Sequence, residues 1–286
     1  MLRRAVSTQI NLMFRQKPFV FCFGINMIYS IATFIFYALS QRGSDVSTIL
    51  SPNAAFALNS NAVFYPVFIN LVPCISVLPF AMSFMTDQAN EISPIIQSRT
   101  GLKNYYLSKM TVCFIGGFIV FFIPLAANML LNLSFFPQSG ITTFGDMFDR
   151  NYAPTIAGSN IVIDTIQSGV IFPRLFLYSA DLYNLVFALI FSLSMGVLSV
   201  LNLAVSFIIK RYKILLFIPV YLLIILINTL NFLLQKSKPF INFIVMSYLT
   251  VNADHGKSLI FISAFFIAVI GFSIGMLILQ ISKDQI

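Results

Sequence analysis

Six stretches of the chain contain no Asp, Glu, Lys, Arg or His, and each is at least 22 residues long. A helix needs about 20 apolar residues, at about 1.5 Å of rise per residue, to cross the hydrocarbon core of a bilayer. All 17 basic and nine acidic residues fall outside these stretches. We therefore predict an all-α, polytopic integral membrane protein with one transmembrane domain over residues 1–286. Its six predicted spans comprise residues 19–41, 62–86, 110–137, 182–209, 214–235 and 258–282.

The composition argues against a soluble protein. Hydrophobic residues make up 58% of the chain and charged residues only 9%, whereas a soluble domain carries about 25% charged residues. The spans leave no room for a soluble catalytic domain beside them. A net charge of +8 would point to nucleic acid in a soluble protein. In a membrane protein the distribution of charge among the loops is more informative, and we predict no nucleic-acid partner.

The charged residues are divided unequally between the two faces of the six-span arrangement. The face that holds both termini has eleven basic and three acidic residues, a net charge of +8, and the opposite face has six of each. Basic loops are retained in the cytoplasm. We therefore expect a multi-pass protein of the cell membrane with both termini cytoplasmic. Cys22, Cys74 and Cys113 fall within spans, so no disulfide is expected.

Residues 2–17 have the helical spacing of an amphipathic segment. One side carries Leu2, Val6, Ile10, Met13 and Phe14, and the other carries Arg3, Ser7, Asn11 and Arg15. This pattern predicts a helix that lies in the membrane interface and leads into the first span. A basic arm exposed to solvent is the alternative interpretation.

Two further segments depart from a simple bundle of spans. The second span contains Pro66, Pro73 and Pro79, which predict a bent or interrupted helix because proline removes a helical hydrogen bond. The external segment 134–181 is long and contains Asp146, Asp149, Asp164 and Asp181. Its short apolar runs predict that it folds partly against the membrane surface.

The cytoplasmic loop 87–109 contains the densest group of polar residues. Asp87 and Glu91 are four residues apart, which places them on one face of a helix. Ser93 and Pro94 are typical of a helix start, with Ser93 as the N-cap, and Gly101 of a helix end. We expect a short helix that projects into the cytoplasm and docks on a partner. A solvated connector is the alternative.

The layout resembles the membrane subunits of type-2 ABC exporters, the ABC-2 permease family. That family has an amphipathic N-terminal helix, six spans, and a first cytoplasmic loop with an acidic residue, a short coupling helix, an Arg and then aromatic-x-x-Lys. The positions that match are Asp87, Glu91, Arg99, Tyr105 and Lys109. The family often has Gly shortly after the Glu, where this chain has Ile92-Ser93-Pro94.

The resemblance implies a permease subunit of an ATP-driven exporter. A separate cytoplasmic ATPase would bind ATP and Mg, and a second permease copy, identical or not, would complete the transporter. The chain itself would hold no cofactor or metal and would not be an enzyme. Because the spans contain no charge, the expected substrate is amphipathic or hydrophobic, such as a peptide, an antimicrobial or a lipid-like compound. The alternative is a non-transporting sensor or immunity subunit that binds a ligand through segment 134–181.

Three other features of the chain are weaker indications of function. Residues 251–258 have P-loop spacing, but Val251 replaces the first Gly that the phosphate cradle requires. His255 is the only His, so neither a multi-His metal site nor a His-centred triad is expected. An intramembrane hydrolase is disfavoured because the spans contain no Asp, Glu or His. Gly271 and Gly275 form a Gly-x-x-x-Gly pattern that lets helices approach closely, either within the chain or between two copies.

Five asparagines are the strongly polar side chains well inside the spans: Asn26, Asn70, Asn128, Asn202 and Asn228. They are expected either to form hydrogen bonds between helices or to line a path for the substrate.

Overall fold

A computed structural model describes residues 2–44, 49–59, 62–138, 171–209, 213–234, 242–251 and 258–284. The described part is helical. The helices are α1 (Leu2–Arg15), α2 (Lys17–Ser40), α3 (Tyr65–Val77), α4 (Ser83–Ala89), α5 (Ser93–Thr100), α6 (Leu102–Phe135), α7 (Pro173–Tyr178), α8 (Ala180–Ser206), α9 (Phe217–Leu234), α10 (Val245–Leu249) and α11 (Leu259–Asp284), with a 3-10 turn over Lys213–Leu216.

Five of these helices, α2, α6, α8, α9 and α11, are long and apolar enough to cross a membrane. The prediction of a multi-pass, all-helical membrane protein is confirmed to that extent. The remaining predicted span, 62–86, is not one helix. It divides into α3, which has 13 residues, and α4, which has seven, with a turn that contains Pro79 between them. The predicted interruption is therefore confirmed. Its cause is Pro79, which has no N–H and cannot donate a helical hydrogen bond.

The predicted N-terminal helix is present as α1, and one side of it packs against α6. Ala5, Gln9 and Met13 are buried, whereas Leu2 and Phe14 are 40% and 45% exposed. Met13 packs against α6 at a glycine. A Cβ at Gly116 would lie 2.6 Å from the Met13 sulfur, so the missing side chain makes room for methionine.

The long helices traverse the bundle in alternating directions. We call the end that contains residues 87–109 the loop end, and the end that contains residues 51–59 the cap end. Helices α2 and α6 both run from the loop end to the cap end, where the rings of Phe34 and Phe135 lie 5.6 Å apart. Between these helices, α3 and α4 lead back. Tyr65 donates a hydrogen bond to Thr250 at the cap end, and Asp87 reaches α6 at the loop end.

The second half of the chain continues this alternation. Helix α8 ends at the loop end, where Phe207 contacts Phe84 with ring centroids 4.9 Å apart. Helix α9 then returns to the cap end, where Asn231 accepts a hydrogen bond from the Phe243 amide at 2.7 Å. Helix α11 runs back to the loop end, where Asp284 accepts a hydrogen bond from Tyr106.

Helices α6 and α8 form the centre of the bundle. In α6 and α8, 50% and 61% of the apolar stretch of the helix is buried inside the protein, compared with 11% in α9 and 17% in α11. Glycines let the two central helices approach closely. A Cβ at Gly117 would lie 3.0 Å from the Met195 carbonyl oxygen, and one at Gly196 would lie 2.9 Å from Phe114. The absence of a side chain at Gly117 and Gly196 therefore allows α6 and α8 to pack closely.

The cap end is closed by an irregular segment, residues 51–59, which is buried. Buried non-helical backbone needs hydrogen-bond partners, and asparagines supply them. Asn128 accepts from the Ala57 amide at 3.0 Å and donates to the Ser30 carbonyl oxygen at 2.8 Å. Asn132 donates to the Ala55 carbonyl oxygen at 3.0 Å. Asn128 is therefore an interhelical hydrogen-bonding residue, one of the two expected roles.

The other asparagines differ in their contacts. Asn26 donates to the Val120 carbonyl oxygen at 3.1 Å and joins α2 to α6. Asn70 and Asn202 instead donate to carbonyls of their own helices. Of the predicted external segment, residues 139–170 lie outside the described part, including Asp146, Asp149 and Asp164.

Candidate functional site

Lys109 is the centre of the site at the loop end. It lies on α6, its side chain is only 1% exposed, and its Nζ is 2.7 Å from Asp87 Oδ2 on α4. Nζ also donates to Ser83 Oγ at 3.0 Å, one helical turn before Asp87. An ammonium removed from water requires an opposite charge and hydrogen bonds to offset the lost hydration. These contacts supply both, and they fix α4 against α6.

Aromatic side chains complete the surroundings of this ion pair. Tyr105 donates to Asp87 Oδ2 at 3.0 Å, so one carboxylate oxygen accepts from both tyrosine and lysine. Lys109 Nζ lies 5.0 Å from the ring centroid of Phe80 and 5.7 Å from that of Tyr105. Both distances are within the range of cation–π attraction. The site is therefore shielded from solvent by rings that also favour the cation.

The neighbouring tyrosine extends the site to the last helix. Tyr106 donates to Asp284 Oδ2, and Gln280 donates to Asp284 Oδ1 at 2.9 Å. The Tyr106 ring also contacts Phe84 and Phe207, with centroids 5.8 Å and 5.5 Å away. Tyr105 and Tyr106 thus join the loop-end parts of α4, α6, α8 and α11, and a displacement of the loop would reach all four.

The loop that precedes α6 folds as a short helix with an exposed side. Helix α5 ends at Thr100, and Gly101 has φ +82°, which confirms the predicted glycine terminator. Ile95 on α5 is 55% exposed, and Ile92, which directly precedes the helix, is 41% exposed. We call these two exposed apolar side chains the docking surface, because exposed apolar residues can form a contact site for another protein.

Two details of the predicted loop are wrong. Glu91 does not share a helix face with Asp87, because α4 ends at Ala89 and Glu91 adopts φ +54° in the following turn. Ser93 is not the N-cap. It is the first residue of α5, and its Oγ accepts a hydrogen bond from Gln97 at 3.0 Å. Glu91 is exposed and lies beside the docking surface.

Of the five residues that the sequence singled out, the structure brings three together: Asp87, Tyr105 and Lys109. Arg99 lies on α5 and borders a separate cavity beside α1. The sequence reasoning missed Ser83 and Asp284. Ser83 precedes Asp87 by one helical turn, and this spacing could have indicated a second hydrogen-bond acceptor for the Lys109 ammonium.

A second cavity lies between α3, α9 and α10, toward the cap end. Its volume is about 360 Å³, and its walls are apolar except for polar groups that include Asn70 and Asn228. Both asparagines are exposed at the surface of their helices. Asn70 donates to the Pro66 carbonyl oxygen of its own helix at 2.7 Å, and both amides remain accessible to a molecule in the cavity.

The remaining signals fall outside these sites. No group of three His, Cys, Asp or Glu residues that could hold a metal occurs in the described ranges. Residues 252–257 of the P-loop-like stretch, including His255, lie outside those ranges. Gly271 and Gly275 face open space, since an added Cβ at either would meet no described atom within 4 Å.

Comparisons with protein families, curated proteins and solved structures find no match to this chain. The likeness to type-2 ABC permeases therefore rests on the sequence pattern of this chain alone.

Proposed function

We propose that the chain is the permease subunit of an ATP-driven exporter of the type-2 ABC class. The observation that carries this proposal is the rigid connection of α5 to the membrane helices in loop 87–109. Helix α5, with exposed Ile95 and with exposed Ile92 just before it, is connected to α6 through Gly101 alone. Helix α6 is fixed to α4 by the buried Lys109–Asp87 pair. A force applied to the short helix would be transmitted to membrane helices and not absorbed by a flexible linker.

The proposed topology has six crossings and both termini in the cytoplasm. Contacts support it, because segment 65–89 runs from the cap end to the loop end although proline divides it into two helices. With this segment as a crossing, the start of α2 and the end of α11 lie on the same side. The excess of basic residues on that side favours the cytoplasm.

The proposed assembly contains a second permease copy and two ATPases that bind ATP and Mg. Helices α9 and α11 are candidates for the contact between copies, because only 11% and 17% of their apolar stretches are buried within one copy. Closure of the ATPases would move α5, and the rigid connection at Lys109 would rock the helices between inward- and outward-open arrangements.

The proposed substrate is amphipathic or hydrophobic. The cavity between α3, α9 and α10 has apolar walls with a few amides and hydroxyls, which suits a molecule with a large apolar surface and isolated polar groups. Peptides, antimicrobials and lipid-like compounds share this character. A sensor or immunity subunit that uses segment 134–181 is the alternative. That function does not require a rigid connection between α5 and the membrane helices.

Site-specific crosslinking tests the proposal. A photoreactive residue at Ile95, on the exposed side of α5, is expected to capture a nucleotide-binding ATPase in native membranes, identified by mass spectrometry. The same residue at Gln138, exposed at the other end of the bundle, is expected to capture none. If Ile95 gives no ATPase adduct, the sensor alternative is favoured.

A further inference from the structure

A cavity of about 470 Å³ lies at the loop end between α1, α5 and the start of α6. It is separate from the Lys109 site and from the cavity at the cap end. Its volume is in the range of small-molecule sites, which extends from about 300 to 1,000 Å³. Its polar lining includes Arg4, Thr8, Gln9, Arg99 and Thr100.

The lining has an uncompensated positive charge. It contains two arginines and no acidic residue. Among the described residues, no carboxylate lies within 4.0 Å of either guanidinium. Arg4 belongs to α1 and Arg99 to α5, so tertiary packing brings together two charges that are 95 positions apart in the sequence. An anion with oxygens on two sides could contact both, since guanidinium groups bind phosphate in a bidentate manner.

A buried amide adds an independent observation. Gln9 is only 4% exposed and lines the same cavity, yet its side chain has no hydrogen-bond partner among the described residues. The Gln9 amide atoms are not fully enclosed by protein, so a polar occupant of the cavity can reach them. A ligand with hydroxyl or phosphate oxygens would satisfy the amide, in contrast to an apolar occupant.

The apolar part of the lining identifies the kind of anion. Ala5, Leu12 and Ile96 line the cavity beside the polar groups, and Leu12 is also 47% exposed. The cavity thus has a charged part and an apolar border at the end of the bundle where the membrane helices begin. A soluble phosphate would use only the charged part, whereas a phospholipid would use both.

We propose that this cavity binds the headgroup of one anionic phospholipid, with the phosphate between Arg4 and Arg99 and headgroup hydroxyls at Gln9. The bound lipid contacts both α1 and α5. The position of α5 therefore depends on the lipid composition of the membrane. Binding of the lipid depends on the chain being a membrane protein and not on the proposed export.

Native mass spectrometry of the purified chain tests the proposal, with phosphatidylglycerol and phosphatidylcholine as probes. The parent protein is expected to retain one phosphatidylglycerol in preference to phosphatidylcholine, and excess inorganic phosphate is not expected to displace it. The double variant Arg4→Gln/Arg99→Gln is expected to bind phosphatidylglycerol about tenfold more weakly, since charge-assisted hydrogen bonds are lost. The variant Gln9→Leu is expected to weaken it less.

The matched control is Arg3→Gln/Lys103→Gln, which removes the same charge from exposed positions on α1 and α6 that do not line the cavity. It is expected to bind like the parent. Equal loss in both double variants would show unspecific attraction to anionic lipid, and no loss in either would show that the cavity is not the site. Displacement by inorganic phosphate would show a soluble anion as the ligand. Each of these outcomes overturns the proposal.

Discussion

Lys109 Nζ lies 2.7 Å from Asp87 Oδ2, and the lysine is the more deeply buried partner, 1% exposed against 19% for the aspartate. The cation therefore depends on the carboxylate more than the carboxylate depends on the cation. Removal of Asp87 would leave a charge without compensation inside the bundle. Removal of Lys109 would leave a carboxylate that still accepts from Tyr105 and reaches solvent.

The first prediction follows from this asymmetry. Asp87→Leu is expected to lower the free energy of unfolding by about 3–5 kcal/mol, the usual cost of breaking a buried ion pair. Lys109→Met is expected to cost less. The double variant Asp87→Leu/Lys109→Met is expected to recover most of the loss, because apolar replacement of a whole pair is often neutral. Unfolding in detergent with denaturant measures the three values.

The control for this series is Lys103→Met, an exposed lysine at the start of the same helix, which is expected to change stability by less than about 0.5 kcal/mol. Equal costs for the two single variants would contradict the asymmetry. If the double variant folds like the parent and still couples to the proposed ATPase, the ion pair is required neither for folding nor for coupling.

The second prediction compares glycines in two environments. Gly117→Val is expected to destabilise the chain by about 1–3 kcal/mol, because its Cβ would approach the Met195 carbonyl oxygen at 3.0 Å. Gly271→Val has no described atom within 4 Å of the added Cβ, so it is expected to leave the monomer as stable as the parent. Thermal unfolding of both variants checks this difference.

The same Gly271→Val variant separates folding from assembly. If α11 contacts a second copy through Gly271 and Gly275, the variant is expected to reduce dimer crosslinking in the membrane without a loss of thermal stability. Dimer crosslinking equal to that of the parent would show that this face of α11 contacts lipid.

The helices could be predicted from the sequence more fully than the site. Five of the six predicted spans correspond to α2, α6, α8, α9 and α11, because an uncharged stretch of this length has few alternatives. Interruption of the second predicted span, 62–86, was predictable from Pro79. The contact between Tyr106 and Asp284 was not, since it joins residues 178 positions apart and depends on how α6 and α11 pack.

Segment 51–59 shows the same limit. The sequence indicates only an external connection, but the segment lies buried at the cap end. Asn128 and Asn132 are four residues apart on α6 and bind its backbone, so their spacing on one helix face was the available signal. Which backbone they would bind could not be read from periodicity.

The third prediction concerns topology. Single cysteines at Gln138 and Ser98, which are both exposed, are introduced after Cys22, Cys74 and Cys113 have been replaced by alanine. An impermeant thiol reagent applied to intact cells is expected to label the cysteine at 138 and not the one at 98, because the basic face lies inside. Both are expected to react after the membrane is permeabilised. Labelling at 98 in intact cells would reverse the orientation.

The fourth prediction concerns the cavity between α3, α9 and α10. In proteoliposomes with the partner ATPase, amphipathic peptides are expected to stimulate ATP hydrolysis, and small hydrophilic ions are not. Asn70→Leu/Asn228→Leu is expected to reduce that stimulation several-fold and to leave basal hydrolysis unchanged, since these amides line the cavity far from the loop. Thr229→Val is the control, because Thr229 is exposed on α9 and its hydroxyl donates within its own helix. Stimulation that is unchanged in the double variant would remove this cavity from the substrate path, and stimulation by hydrophilic ions alone would contradict the proposed substrate class.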